Sequence, residues 1–166
     1  MSSPQDVRLS AEIIGLLVAR GQTLAVAESL TGGLLAAALT EIPGSSAAFR
    51  GGVVSYATDL KAALLGVPSD LLDQQGAVHP AVAAAMAQGA CRRLASSVGA
   101  ATTGVAGPDP ADGQPVGTVF IAVSMGPDAA PDVRPLALSG DRQQIRAATV
   151  TEVLGLLVGV LREDNI

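Results

Sequence analysis

A five-residue apolar run at 23–27 (TLAVA) leads directly into Glu28-Ser29-Leu30-Thr31-Gly32-Gly33, after which residues 34–42 take up helical spacing until Pro43-Gly44. A run this short suits a buried strand, and the paired glycines suit a tight turn. Strand, turn and helix in succession form the building unit of α/β domains. The unit recurs along the chain. Residues 51–57 (GGVVSYA) read as a second strand, followed by a short helix at 59–65 that ends at Gly66. Leu71 and Leu72 mark a weaker helical turn after Pro68. A long helix over about 80–97 then leads to a strand at 100–105. Residues 116–125 (VGTVFIAVSM) are the clearest strand, and 133–139 return antiparallel to it across a Gly/Pro loop. A helix at 11–19 precedes the first strand, and Asp141 caps a last helix reaching about Leu161. The expected fold is α/β: one domain over 1–166, a three-layer α/β/α sandwich with a mixed, mostly parallel sheet.

Composition narrows what such a domain does. Hydrophobic residues make up 49% and charged residues 15%, which excludes a disordered chain. The aromatic side chains are Phe49, Tyr56 and Phe120, so Ala, Val and Leu must form the core. A net charge of -5 and the absence of any Lys or Arg run give no electrostatic footprint for nucleic acid. Cys91 is the sole cysteine and His79 the sole histidine, so neither a disulfide framework nor a nitrogen/sulfur metal site is expected. The first eight residues resemble neither a signal peptide nor an anchor, and no uninterrupted apolar run of membrane-span length is read. The expected location is the cytoplasm. The alanine-rich, weakly charged long helix is compatible with a homo-oligomer.

The residues with chemistry to offer stand at strand ends. Ser29 lies where the first strand gives way to a helix, a position at which α/β folds present side chains to ligands. Two readings stay open there. Ser29 or Thr31 caps the helix, or Ser29 is a nucleophile and the N–H groups of Gly32 and Gly33 receive an anion or oxyanion. The run fits neither the phosphate-loop nor the dinucleotide glycine pattern. A serine nucleophile needs a group that takes its proton. His79 directly precedes Pro80 at a helix start, where capping or surface exposure accounts for it, so a Ser-His-Asp triad is disfavoured. Nine of the ten basic residues are arginine, and the one lysine, Lys61, lies five positions after the one tyrosine, Tyr56. Arginine stays charged, whereas a desolvated ammonium gives up its proton, so a site that needs a base uses lysine. A Ser-Lys arrangement with Tyr56 as relay or positioning group is therefore open, against a solvated lysine near a helix start.

Arg142 and Arg146 are four apart at the beginning of the last helix and share a face. They read either as a phosphate clamp or as a solvated face, with Arg142, whose charge opposes the helix dipole, the harder to dismiss. Thr102, Thr103 and Gly104 lie at another strand end, where hydroxyls either bind a substrate or merely finish a strand.

Taken in order, Ala27-Glu28-Ser29-Leu30-Thr31-Gly32-Gly33, Pro43-Gly44-Ser45-Ser46, Val54-Ser55-Tyr56 with Lys61, Gly76-Ala77-Val78, Gly104-Val105-Ala106-Gly107-Pro108, Pro115-Val116-Gly117-Thr118-Val119 and Ser139-Gly140-Asp141-Arg142 resemble the CinA C-terminal domain family over nearly the whole chain. Its enzymatic members are nicotinamide mononucleotide deamidases. The resemblance implies hydrolysis of that nucleotide's carboxamide to nicotinic acid mononucleotide and ammonia, in pyridine-nucleotide salvage, without a cofactor. Carried over by motif, Ser29 is the nucleophile, Lys61 and Tyr56 activate it or position its proton, and Thr103 and Arg142 bind substrate, the arginine at the 5'-phosphate. Position 30 is Leu where many relatives have Cys, and the 108–113 loop carries an additional proline. The chain resembles the stand-alone form rather than the two-domain form. A non-catalytic nucleotide-binding or protein-interaction module of the same fold is the competing expectation.

Overall fold

The computed structural model describes residues 1–164. Helix α1 (Pro4–Arg20) begins earlier than its apolar stripe, because Ser3 and Asp6 form a reciprocal capping box with Pro4 in the first turn. Strand β1 (Leu24–Glu28) and helix α2 (Leu34–Thr40) follow, then β2 (Phe49–Val54), α3 (Thr58–Leu65), α4 (Ser69–Gln75) and α5 (Pro80–Leu94). Strands β3 (Val98–Gly104), β4 (Thr118–Ser124) and β5 (Asp132–Ala137) lead to α6 (Arg142–Glu163).

The sheet order is β2-β1-β3-β4-β5. Strand β1 pairs in parallel with both β2 and β3, while β4 is antiparallel to β3 and to β5. Four strands thus share one direction and β4 alone opposes it, giving the expected mixed, mostly parallel sheet. The chain leaves β1 for β2 on one side and returns to β3 on the other, so the strand order reverses at β1. The carboxyl ends of β1 and β3 flank the crevice that this reversal opens.

The two faces of the sheet are packed differently. Leu24, Val26, Val98, Ala100, Val119 and Ile121 meet α1, α2 and α6 in the larger core. On the other face Ala25, Ala27, Ala101 and Ala122 meet α5. That face is built from small residues because α5 lies close: a Cβ on Gly99 would overlap the Ala87 carbonyl, and α3 approaches α5 equally closely at Gly89, where a Cβ would overlap the Leu65 carbonyl.

Helix α6 is long and apolar enough to cross a membrane by length and composition, although Arg146 and Glu152 interrupt it, so no uninterrupted apolar run of that length is present. Half of that stretch is buried, and Ile145, Val153, Leu154 and Leu157 lie in the larger core. Packing on α1 and the sheet accounts for its composition.

Candidate active site

Glu28 ends β1 and its carboxylate turns forward onto the start of α2, accepting from the N–H groups of Gly33 at 3.2 Å, Leu35 at 2.9 Å and Ala36 at 3.1 Å. This is the cap of α2, so neither Ser29 nor Thr31 serves as one. The Gly32 N–H donates to the Ser29 carbonyl at 3.1 Å. Both glycine N–H groups expected to receive an anion are therefore already engaged. The glycines serve the backbone instead, with φ of 57° at Gly32 and 103° at Gly33. Ser29 is released from capping, with its side chain at the strand's carboxyl end and 8% of its surface exposed.

Lys61 comes up to that serine from α3. Its side chain is the largest among the fully buried ones, 1% exposed, and Nζ donates to Ser29 Oγ at 3.0 Å and to the Ser55 carbonyl at 2.7 Å. A third acceptor, the Tyr56 carbonyl, lies at 3.5 Å. Desolvation lowers the lysine pKa to about 8, opposed by the negative charge of Asp112. The solvated-cation reading of Lys61 is thereby removed. Tyr56 plays a different part: its ring is 57% exposed and its hydroxyl accepts from Arg142 Nη2 at 2.8 Å. Of the two expected partners, the lysine meets the serine hydroxyl.

The crevice above Ser29 is walled by Leu30, Tyr56, Gly104, Val105, Ala106, Gly107, Asp109, Ala111 and Arg142. Arg142 also donates to the Gly107 carbonyl at 2.7 Å. Its recorded protein partners are neutral, and among the described residues no carboxylate forms an ion pair with it. A guanidinium held in place without a counter-charge is suited to an anion. Arg146, expected beside it, turns away: Nε donates to the Leu30 carbonyl at 2.8 Å and Nη2 to that of Thr31 at 3.2 Å.

The threonines depart from expectation because a strand alternates its faces. The Thr103 hydroxyl lies away from the crevice and donates to the Ala77 carbonyl at 2.8 Å, tying β3 to the segment before α5. Thr102, on the other face, shares a hydrogen bond of 2.8 Å with the hydroxyl of fully buried Thr31, so Thr31 is a support within the fold. His79 accepts from the Ala81 N–H and caps α5. Among the described residues no group of His, Cys, Asp and Glu has metal-site geometry. Sequence reasoning did not single out Glu28, Asp109 or Asp112. The acids in the 108–113 loop carry a signal in their position beside the Gly104-to-Pro108 motif, whereas the forward reach of Glu28 carries none.

Fold and crevice together define a three-layer α/β/α domain that presents a lysine-bonded serine at the carboxyl end of a parallel strand. The chain belongs to the CinA C-terminal domain family, whose model matches residues 6–161. It is 54% identical over 152 residues to a CinA-like protein of Frankia casuarinae, covering 92% of this chain and 35% of that protein. A CinA-like protein of Synechococcus sp. is 49% identical over 156 residues, covering 92% and 37%. The chain thus spans about a third of the length of these curated relatives. Among solved structures, competence/damage inducible protein CihA from Agrobacterium tumefaciens matches with a TM-score of 0.92 at 36% identity, covering 98% of each chain. A CinA superfamily protein from Escherichia coli matches with a TM-score of 0.90 at 31% identity, covering 96% of this chain and 94% of that one.

Proposed function

We propose that this chain is a serine amidohydrolase that converts nicotinamide mononucleotide to nicotinic acid mononucleotide and ammonia, a step of pyridine-nucleotide salvage. The observation that carries the reading is the 3.0 Å contact between Lys61 Nζ and Ser29 Oγ, made by a buried lysine whose pKa is lowered to about 8. At pH 7 roughly one molecule in ten then holds the free amine. That amine is placed to take the hydroxyl proton as Ser29 Oγ bonds to the carboxamide carbon. Lys61 next passes the proton to the departing nitrogen. The C–N bond breaks, ammonia leaves, and an ester remains on Ser29. Water attacks that ester with Lys61 again as base, and the carboxylate product departs.

Substrate choice rests on the family resemblance together with the crevice. Leu30, Val105 and Ala106 offer apolar contact to a pyridine ring. Arg142, free of a carboxylate partner among the described residues, suits the 5'-phosphate, and Tyr56 holds its guanidinium. Incubating the purified chain with nicotinamide mononucleotide and measuring ammonia and the acid mononucleotide tests the reading. Equal amounts of both are expected, and loss of at least about a thousandfold in Ser29→Ala. Binding of the nucleotide without ammonia release would instead establish a non-catalytic module.

A further inference from the structure

Attack on a carboxamide puts negative charge on its oxygen, and that charge needs a donor fixed beside Ser29. The Gly32 and Gly33 N–H groups are occupied, as described, while those of Leu30 and Thr31 have no acceptor among the described residues; of these two, only Leu30 lines the crevice. Leu30 lines the crevice beside Ser29 and is 3% exposed, and among the described residues its N–H has no acceptor. Buried backbone donors are rarely left so.

Its direction is set from outside the crevice. In a trans peptide the C=O and the following N–H point opposite ways, and the peptides of this turn are trans. The Ser29 carbonyl accepts from Gly32 at 3.1 Å, which turns the Leu30 N–H outward from the closed turn. The Gly32 peptide is held in its turn by Arg146, whose Nη2 donates to the Thr31 carbonyl, while Nε donates to that of Leu30. A continuous chain results: guanidinium to Thr31 C=O, Gly32 N–H to Ser29 C=O, and Leu30 N–H at the open end. Hydrogen bonds in such a chain polarise one another, so a cation at one end strengthens the donor at the other. Gly32 allows the approach, since a Cβ there would lie 3.2 Å from Arg146 Nη2.

We propose that the Leu30 N–H is the oxyanion donor of this site and that Arg146 is its positioning residue, acting through the Thr31 and Ser29 carbonyls and not by touching substrate. The inference rests on Ser29 being the nucleophile of the reading above. It requires a forked cation, because a lysine reaches one carbonyl as a point charge and leaves the other.

The test compares wild type with Arg146→Lys and Arg146→Ala in two reactions. With nicotinamide mononucleotide, kcat is expected to fall about a hundredfold in both variants while KM stays within about threefold, and guanidinium in solution is expected to restore Arg146→Ala. With an alkyl fluorophosphonate, Ser29 Oγ bonds to phosphorus, fluoride leaves and the hydroxyl proton goes to Lys61. The phosphoryl oxygen draws on the same donor with no nucleotide present. Labelling of the Ser29 peptide, followed by mass spectrometry, is expected to slow at least tenfold in both variants, at about the cost of weakening one oxyanion donor. Slowed labelling without wild-type turnover of the nucleotide would break the substrate reading alone and leave this one standing. A raised KM with unchanged kcat, labelling at the wild-type rate, or a wild type never labelled at Ser29 would overturn it.

Discussion

The crevice has two unlike walls. On the β1 side, Ser29 and the lysine beneath it are buried, and every neighbour that holds them is a hydrogen bond within the fold. On the β3 and α6 side, Gly104 to Gly107 line the crevice and Asp109 and Arg142 are exposed, with the exposed Tyr56, just after β2, hydrogen-bonded to Arg142. The first wall is made of groups whose protonation and position must not vary, the second of groups that a ligand can reach. Chemistry and recognition are therefore separable, and substitutions on the two walls should fall on different kinetic constants.

The largest effect is expected from the buried wall. Lys61→Arg keeps a charge but cannot accept the serine proton, so kcat should fall at least about a hundredfold, measured as ammonia release at saturating nucleotide. On the rim, Arg142→Lys should raise KM about tenfold with kcat within a few-fold, since one charge-assisted fork is replaced by a point charge. Steady-state kinetics on both variants would break the division if the two constants exchanged roles.

Smaller effects sharpen the boundary. Thr103→Val leaves the Ala77 carbonyl without its partner and should cost about 1–3 kcal/mol of stability in denaturant unfolding, with KM unchanged. A raised KM would restore Thr103 to substrate binding. Asp112→Asn removes the negative charge that holds the Lys61 pKa up, so the alkaline rise in activity should move to lower pH. The Ala77 N–H, which donates to Asp112 Oδ2 at 3.0 Å, retains an acceptor in the amide.

The alternation of strands and helices was legible because each apolar run ends in Gly, Pro or a polar cluster. Ser29 was legible from its place at a strand end, and Lys61 because a chain that otherwise uses arginine keeps one lysine there. The early start of α1 was also available, since Ser3-Pro4-Gln5-Asp6 is a capping signature lying outside the apolar stripe. What could not be read depends on contacts between distant residues. Arg146 reaches carbonyls more than a hundred positions away, and neighbouring Arg142 does not, although the two share a face. Thr102 and Thr103 are alike in sequence and opposite in function because only the sheet decides which face looks toward Ser29. Glu28 reads as one more polar turn residue until its carboxylate is seen accepting the Gly33 N–H, one of the two that were expected to bind an anion.

The coupling of Ser29 to Lys61 is tested most directly by the pH dependence of kcat/KM for nicotinamide mononucleotide, between about pH 6 and 9.5. Because the lysine must be neutral to act, the rate should climb with rising pH and level off above an apparent pKa of about 8, and Lys61→Arg should show no such rise. A wild-type profile that is flat across this range, or that falls as pH rises, would contradict the account.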